Sequence, residues 1–243
     1  MSLQYQTEED LPEVETRAPE VGPAVPLYTV LLIVSIVAVA AVQLASGLEN
    51  SILAAGFVKP AFLERHQYWR ILTGATTHGS FMHVAMNCYA FYSFGRIMEM
   101  LTNKAHVAIV FLLSAIGGGL LSLIAMPGGI SVGASGGIVG LIGYLLIYAF
   151  RRRQFISPQF RKNLLINIGF ILIFGIVLYQ VVDNFGHIGG LITGGLYGYL
   201  QIPADSHIDP REGTSRLELF GVAALGTYMA ACLFSILLIL RVI

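Results

Sequence analysis

Seven apolar runs, separated by short polar stretches, organise the chain. They cover about residues 27–46, 80–101, 106–126, 135–150, 164–182, 187–202 and 217–240. Several reach roughly 20 residues, the length that crosses a hydrocarbon core about 30 Å thick. The pattern therefore predicts an all-α, polytopic membrane helical bundle. Between the first two runs, "AAGFVKPAFLERHQYWRIL" mixes apolar residues with Lys59, Glu64, Arg65 and Arg70. That segment is expected to lie in the membrane interface, with Tyr68 and Trp69 at headgroup level. Residues 1–25 carry Glu8, Glu9, Asp10, Glu13, Glu15 and Glu20, with prolines at 19 and 23 and another at 26. They predict a disordered acidic tail, and lack the basic region of a secretory signal.

Composition agrees with this class. Of 243 residues 56% are hydrophobic and 12% charged, and the net charge is zero. A soluble domain carries about twice that share of charge. A zero net charge gives no reason to expect a nucleic-acid partner; the bilayer is the expected surroundings. Cys88 and Cys232 both fall inside apolar runs, where they read as small packing residues rather than a disulfide or metal site.

Lys and Arg set the orientation. With a cytoplasmic N-terminus the inner side holds Arg17, Arg96, Lys104, Arg151, Arg152, Arg153, Arg161, Lys162, Arg211 and Arg216. The outer side holds Lys59, Arg65, Arg70 and Arg241. The positive-inside bias then places the long first loop outside, with the loop "PGGISVGA" before Ser135. The fourth helix, Ser135 to Phe150, is about 24 Å long at 1.5 Å per residue. With Arg151–Arg153 holding its inner end at the cytoplasmic face, it cannot reach the outer face of the core. Ser135 is thus submerged, and irregular backbone at that depth is tolerated only beside a wet cavity or inside protein.

Polar groups within membrane helices are costly and so informative. His83 and Asn87, four residues apart, share one face of the second run, and His187 opens the sixth. Together with Ser135 they sit at one depth in the outer half. Gly190, Gly194 and Gly198 lie on the face of His187; Gly136, Gly140 and Gly143 line the fourth helix. Small-residue stripes let helix backbones approach closely in lipid. Such an approach brings the Ser135 hydroxyl within reach of the His187 ring, the arrangement nucleophilic catalysis needs. Ser135 at a helix start also sets backbone N–H groups and the dipole's positive end beside an oxyanion, with His83 and Asn87 as further donors.

With "GASG" at 133–136, "HGSFMHVAMN" at 78–87, "NFGHIGGLITG" at 184–194 and "YWR" at 68–70, the chain resembles the rhomboid intramembrane serine proteases over roughly residues 27–202. The resemblance implies Ser135 as nucleophile, His187 as general base in a dyad without an acid, and His83, Asn87 and the Ser135 N–H as the oxyanion hole. It implies a six-helix catalytic core over residues 26–202. A cytoplasmic loop and seventh transmembrane helix over 203–243 fit the six-plus-one subgroup. It further implies membrane-anchored protein substrates whose transmembrane helices unwind easily, cut near the outer face, and no cofactor. Val139 departs from the pattern, since many members carry there an aromatic that packs on the catalytic histidine.

Alternative readings stand beside these. Asp183, four residues before His187, reads as a helix-end or loop carboxylate rather than a triad acid. His78, His83 and His187 can be imagined as a zinc site, but a spacing of five does not put the first two on one helix face. Glu99 and Arg96 read as a helix-end cluster anchoring the second inner loop, and "RRRQF" as a topology signal. A catalytically silent membrane chaperone or trafficking adaptor on the same fold is the competing function. A small transporter is disfavoured by the odd span count.

Overall fold

The computed structural model describes residues 25–205 and 207–243, so the acidic tail falls outside the described residues but for Val25. In chain order come α1 (Leu27–Ser46), α2 (Leu48–Ala55), β1 (Phe57–Val58), α3 (Lys59–Glu64), α4 (Arg70–Thr73), α5 (Phe81–Leu101), α6 (Ala105–Ala125), β2 (Ile130–Ser131), α7 (Ser135–Arg151), α8 (Pro158–Val177), α9 (Asn184–Gln201) and α10 (Ser215–Ile239). Of these, α1, α6, α8 and α10 are long and apolar enough to cross a membrane by themselves, while apolar α7 has only 17 residues. The fold is a polytopic helical membrane bundle. The helices that carry the predicted site, α5, α7 and α9, are the shorter or more polar ones.

Helix α7 forms the middle of the bundle. Gly137 through Leu145 are buried without interruption, as expected of a helix that is apolar all round. It packs against α6 and α9, and more lightly against α5 and α8. Glycine is what makes the α7–α9 contact possible. A Cβ built at Gly190 would strike the carbonyl oxygen of Gly136, and one at Gly194 that of Gly140. The two predicted stripes do face one another. Packing at such short range replaces the hydrophobic driving force that lipid does not supply.

Two helix boundaries differ from the sequence pattern. The fifth run was drawn over 164–182, but α8 covers Pro158–Val177, because Ser157 caps it and Pro158 occupies its first turn. Its first turns thus include Arg161 and Lys162, which hydropathy had excluded. The sixth begins at Asn184 rather than His187, since Asp183 accepts from Gly186 N at 2.8 Å and starts the helix one turn early.

The segment over 47–79 departs from an interfacial mixture. It folds into α2, α3 and α4, and β1 pairs antiparallel with β2, Phe57 opposite Ser131. Lys59 and Arg70, counted above as outer charges, are 1% and 7% exposed. Arg70 donates to Gly56 O at 2.7 Å and to Gln67 Oε1 at 2.5 Å, and lies over the Trp69 ring. Trp69 in turn meets Phe234 of α10 edge-on. Further contacts from α10 hold the same region: Tyr228 Oη donates to Ala75 O at 3.0 Å, and Thr76 Oγ1 to Ser235 Oγ at 2.8 Å.

Charges expected on the inner side also make structural contacts. Arg151 donates to the carbonyls of Tyr199 and Ile202, both at 2.6 Å, closing the C-terminal end of α9 where carbonyls lack partners. Arg152 is buried and donates to Ile208 O. Glu99 does not anchor the second inner loop. It accepts from Thr29 N and Thr29 Oγ1, both at 2.7 Å, and so satisfies the first turn of α1.

Candidate active site

Two local devices place the histidine and asparagine of α5. Ser80 adopts extended backbone and its hydroxyl accepts from His83 N at 3.1 Å, so the helix starts there and His83 falls in its first turn. Upstream, Gln43 of α1 clamps the backbone of His78, accepting from its N–H at 2.9 Å and donating to its carbonyl at 3.2 Å. The His78 ring then meets the His83 ring edge-on, centroids 5.0 Å apart. The two rings thus meet although they are five residues apart, because His78 lies before the helix and helical spacing does not govern it. Among the described residues no three His, Cys, Asp or Glu are grouped as metal ligands.

The nucleophile candidate follows a turn that needs a positive φ. Gly133 has φ of +120°, a region that glycine alone enters readily. Its N–H donates to Gly74 O at 2.9 Å. A side chain there would also collide with the His83 ring, 2.8 Å from Nε2, and approach Asn87 Nδ2 at 3.6 Å. The loop before Ser135 thus runs directly past both groups. Asn87 is buried and its Nδ2 has no hydrogen-bond partner among the described residues. An amide donor left unspent beside the start of α7 is costly unless something accepts from it.

Ser135 Oγ and His187 Nε2 are 2.8 Å apart. Both side chains are half-buried, and a cavity of about 40 Å³ beside them is lined by Ser131, Gly133, Asp183 and Gly186 as well as the pair. A water needs roughly 10–15 Å³ of such space. All four predicted residues, Ser135, His187, His83 and Asn87, are brought together. Val139 is buried in α7.

The Asp183 carboxylate does not bond to the His187 ring, whose Nδ1 has no hydrogen-bond partner among the described residues. The carboxylate accepts instead from Ser122 Oγ, from Ser131 Oγ at 2.5 Å and from Gly186 N. Burial pushes this carboxyl upward, but those hydrogen bonds, together with the nearby Lys59 ammonium, outweigh it and hold it below its ordinary range. Burial pushes Lys59 below the usual lysine range, opposed by Asp183. Lys59 Nζ donates to Ser122 Oγ at 2.7 Å. Sequence reasoning missed this cluster and the Gln43 clamp. Gln43 carried a signal, as a strongly polar side chain inside an apolar run; Lys59 carried none, because only the fold turns it inward.

A hydroxyl and an imidazole are thus in contact between close-packed helices of a polytopic membrane protein, with an amide and a second imidazole near the loop that leads to the hydroxyl. Residues 65–204 match the Rhomboid domain family. The chain belongs to the rhomboid family. It is 31% identical over 142 residues to RHOMBOID-like protein 6, mitochondrial, of Arabidopsis thaliana, covering 57% of this chain and 45% of that protein. To Rhomboid protease GluP of Bacillus subtilis it is 32% identical over 145 residues, 60% of this chain and 28% of the relative. Inactive rhomboid protein 1 of Papio anubis is 28% identical over 139 residues, 56% of this chain and 16% of the relative. The matched segment spans less than half the length of each of these relatives.

Proposed function

We propose that the chain is an intramembrane serine endopeptidase that cleaves transmembrane segments of membrane-anchored proteins. The observation that carries this reading is the 2.8 Å contact between Ser135 Oγ and His187 Nε2, which lies within the range for a nucleophile and its base. Ser135 Oγ attacks the scissile carbonyl carbon as its proton passes to His187 Nε2. The carbonyl oxygen becomes an oxyanion, met by the Ser135 N–H, Asn87 Nδ2 and His83. When the tetrahedral species collapses, the C–N bond breaks and His187 returns the proton to the leaving amine. Water then adds to the acyl ester with His187 again as base, releasing the new carboxyl end and restoring Ser135. An orientation with the N-terminus cytoplasmic, supported by the excess of inner Lys and Arg, puts this cleavage near the outer face.

A catalytically silent adaptor is the second reading, favoured by the similarity to an inactive rhomboid protein. In it the Ser135–His187 contact is only an interhelical hydrogen bond. The purified chain treated with a serine-directed fluorophosphonate separates the two. The protease reading expects covalent labelling at Ser135, abolished by Ser135→Ala and strongly slowed by His187→Ala. An unlabelled wild-type chain would leave the adaptor. A second measurement probes the oxyanion assignment. Asn87→Ala should lower kcat by about 100-fold or more with KM little altered, as when one donor to a developing charge is removed, and His83→Ala should do likewise. An effect confined to KM would contradict that role.

A further inference from the structure

The buried cluster formed by Lys59, Ser122, Ser131 and Asp183 joins four separate pieces of chain. Lys59 begins α3, Ser122 lies near the C-terminal end of α6, Ser131 is in β2, and Asp183 caps α9. Its hydrogen bonds have one consistent direction. The Lys59 ammonium donates to Ser122, Ser122 donates to Asp183 Oδ2, and Ser131 donates to the same oxygen. The other carboxylate oxygen accepts from Gly186 N at 2.8 Å. Lys59 N also donates to Gly129 O at 3.1 Å, and β1 pairs with β2 at Ser131. The Asp183 carboxylate has no bond to either member of the dyad.

Its place in the chain is what gives it consequence. Ser131 precedes Ser135 by four residues, through the positive-φ Gly133. Asp183 precedes His187 by four, and His187 N donates to Asp183 O at 3.1 Å. One carboxylate therefore grips the strand that leads to the hydroxyl and the helix turn that bears the imidazole. Besides the Gly133 N–H bond to Gly74 O and the β1–β2 pairing, it is a tie that joins the nucleophile strand directly to the base helix. The glycine contacts fix the helices further down, at Gly136–Gly190 and Gly140–Gly194, and leave the loop before Ser135 to be held by other groups.

We propose that Asp183 is a positioning residue for the dyad, acting as a pin shared by Ser131 on the nucleophile strand and Gly186 on the base helix, and not as a triad acid. This rests on the protease reading for its kinetic consequences but not for its structural ones. A hydrogen bond from a hydroxyl or amide to an ionised acceptor is among the stronger ones a protein makes. Buried networks of this kind rigidify only when every member is satisfied. Loss of the carboxylate frees two hydroxyls and an amide together. The strand and the helix turn then move independently, and the reaction loses the preset geometry that makes it effectively unimolecular.

The test uses the full chain, purified, with Asp183→Ala, Asp183→Asn, Ser131→Ala, Ser131→Thr and the Asp183→Ala/Ser131→Ala double variant. Amide hydrogen exchange is followed in residues 131–136 and 184–188, and kcat, KM and the rate of fluorophosphonate labelling are measured on each. Asp183→Ala is expected to accelerate exchange in both segments, lower kcat and labelling at least tenfold, and leave KM within twofold. Asp183→Asn, which keeps one acceptor oxygen, should fall between. Ser131→Thr should restore most of what Ser131→Ala loses, and the double variant should be no slower than Asp183→Ala, because both changes break one pin. Unchanged exchange in either segment of Asp183→Ala would overturn the proposal. So would a kcat within twofold of wild type, or a Ser131→Thr as slow as Ser131→Ala. Should Asp183→Ala not fold, the Ser131 pair decides by exchange and rate. If the wild type neither labels nor cleaves, the protease reading fails, and hydrogen exchange alone decides the pin.

Discussion

Ser135→Ala is expected to reduce cleavage of a transmembrane reporter to background, a loss of about 10,000-fold or more if the hydroxyl is the nucleophile. His187→Ala should cost about as much, since without a base the hydroxyl keeps its proton. Combining the two should cost no more than either alone, because they act as one unit. The fold should survive both changes. The Oγ–Nε2 contact is a single hydrogen bond at a half-buried site, worth on the order of 1 kcal/mol, whereas Gly137 through Leu145 stay packed regardless. The measurement is reporter cleavage in proteoliposomes alongside thermal unfolding of the same preparations. Wild-type cleavage by a folded Ser135→Ala protein would end the assignment.

Adding one methyl group to Gly190 or Gly194 is expected to cost about 100-fold in activity, from outside the reacting groups. The new Cβ would overlap the carbonyl oxygen of Gly136 in the first case and of Gly140 in the second. These obstacles are backbone atoms of helix α7, and neither can rotate away as a side chain would. Helices α7 and α9 must therefore move apart, and His187 on α9 moves off Ser135 on α7. A displacement near 1 Å at reacting groups costs about 100-fold in rate, and overpacking of this kind costs about 1–3 kcal/mol of stability. Gly169→Ala on α8 and Gly226→Ala on α10 serve as controls, since an added Cβ there meets nothing within 4 Å. Gly190→Ala and Gly194→Ala should lose activity and unfold at lower temperature, while the two controls match wild type. Activity preserved in Gly190→Ala would mean that the close contact does not set the dyad geometry.

These two expectations divide the chemistry differently. The first concerns groups named by their own reactivity, the second groups with no side chain at all. Rhomboid membership alone settles neither, because proteins with protease names and one named inactive are all similar to this chain. The protease reading rests instead on the Ser135–His187 contact and the unspent Asn87 amide near Gly133.

Much of this arrangement is readable before any coordinates. The apolar run ending at Arg151 predicts a short helix with Ser135 at its start, and α7 is a 17-residue helix that begins there. Glycines at 190, 194 and 198, on the face of His187, point to a close helix partner, because periodicity decides which residues share a side. The spacing of His83 and Asn87 follows from the same geometry, and both do face Gly133.

Other features depend on contacts between segments far apart in sequence, and no local pattern carries them. Lys59 looks like an interfacial charge until β1 pairs with β2 and turns it toward Ser122, 63 residues away. Asp183 looks like a helix-end carboxylate, and it is one, but its bonds to Ser122 and Ser131 appear only when α6 and β2 are in place. Arg151 and Arg152 read as markers of the inner face, yet they close α9 and hold Ile208. By itself the sequence determined the membrane class and the helix faces that meet, because hydropathy and helical period act over a few residues. Only the tertiary structure decided which buried charges find partners, since the low dielectric of the interior makes an unpaired charge so costly that distant segments must supply its match.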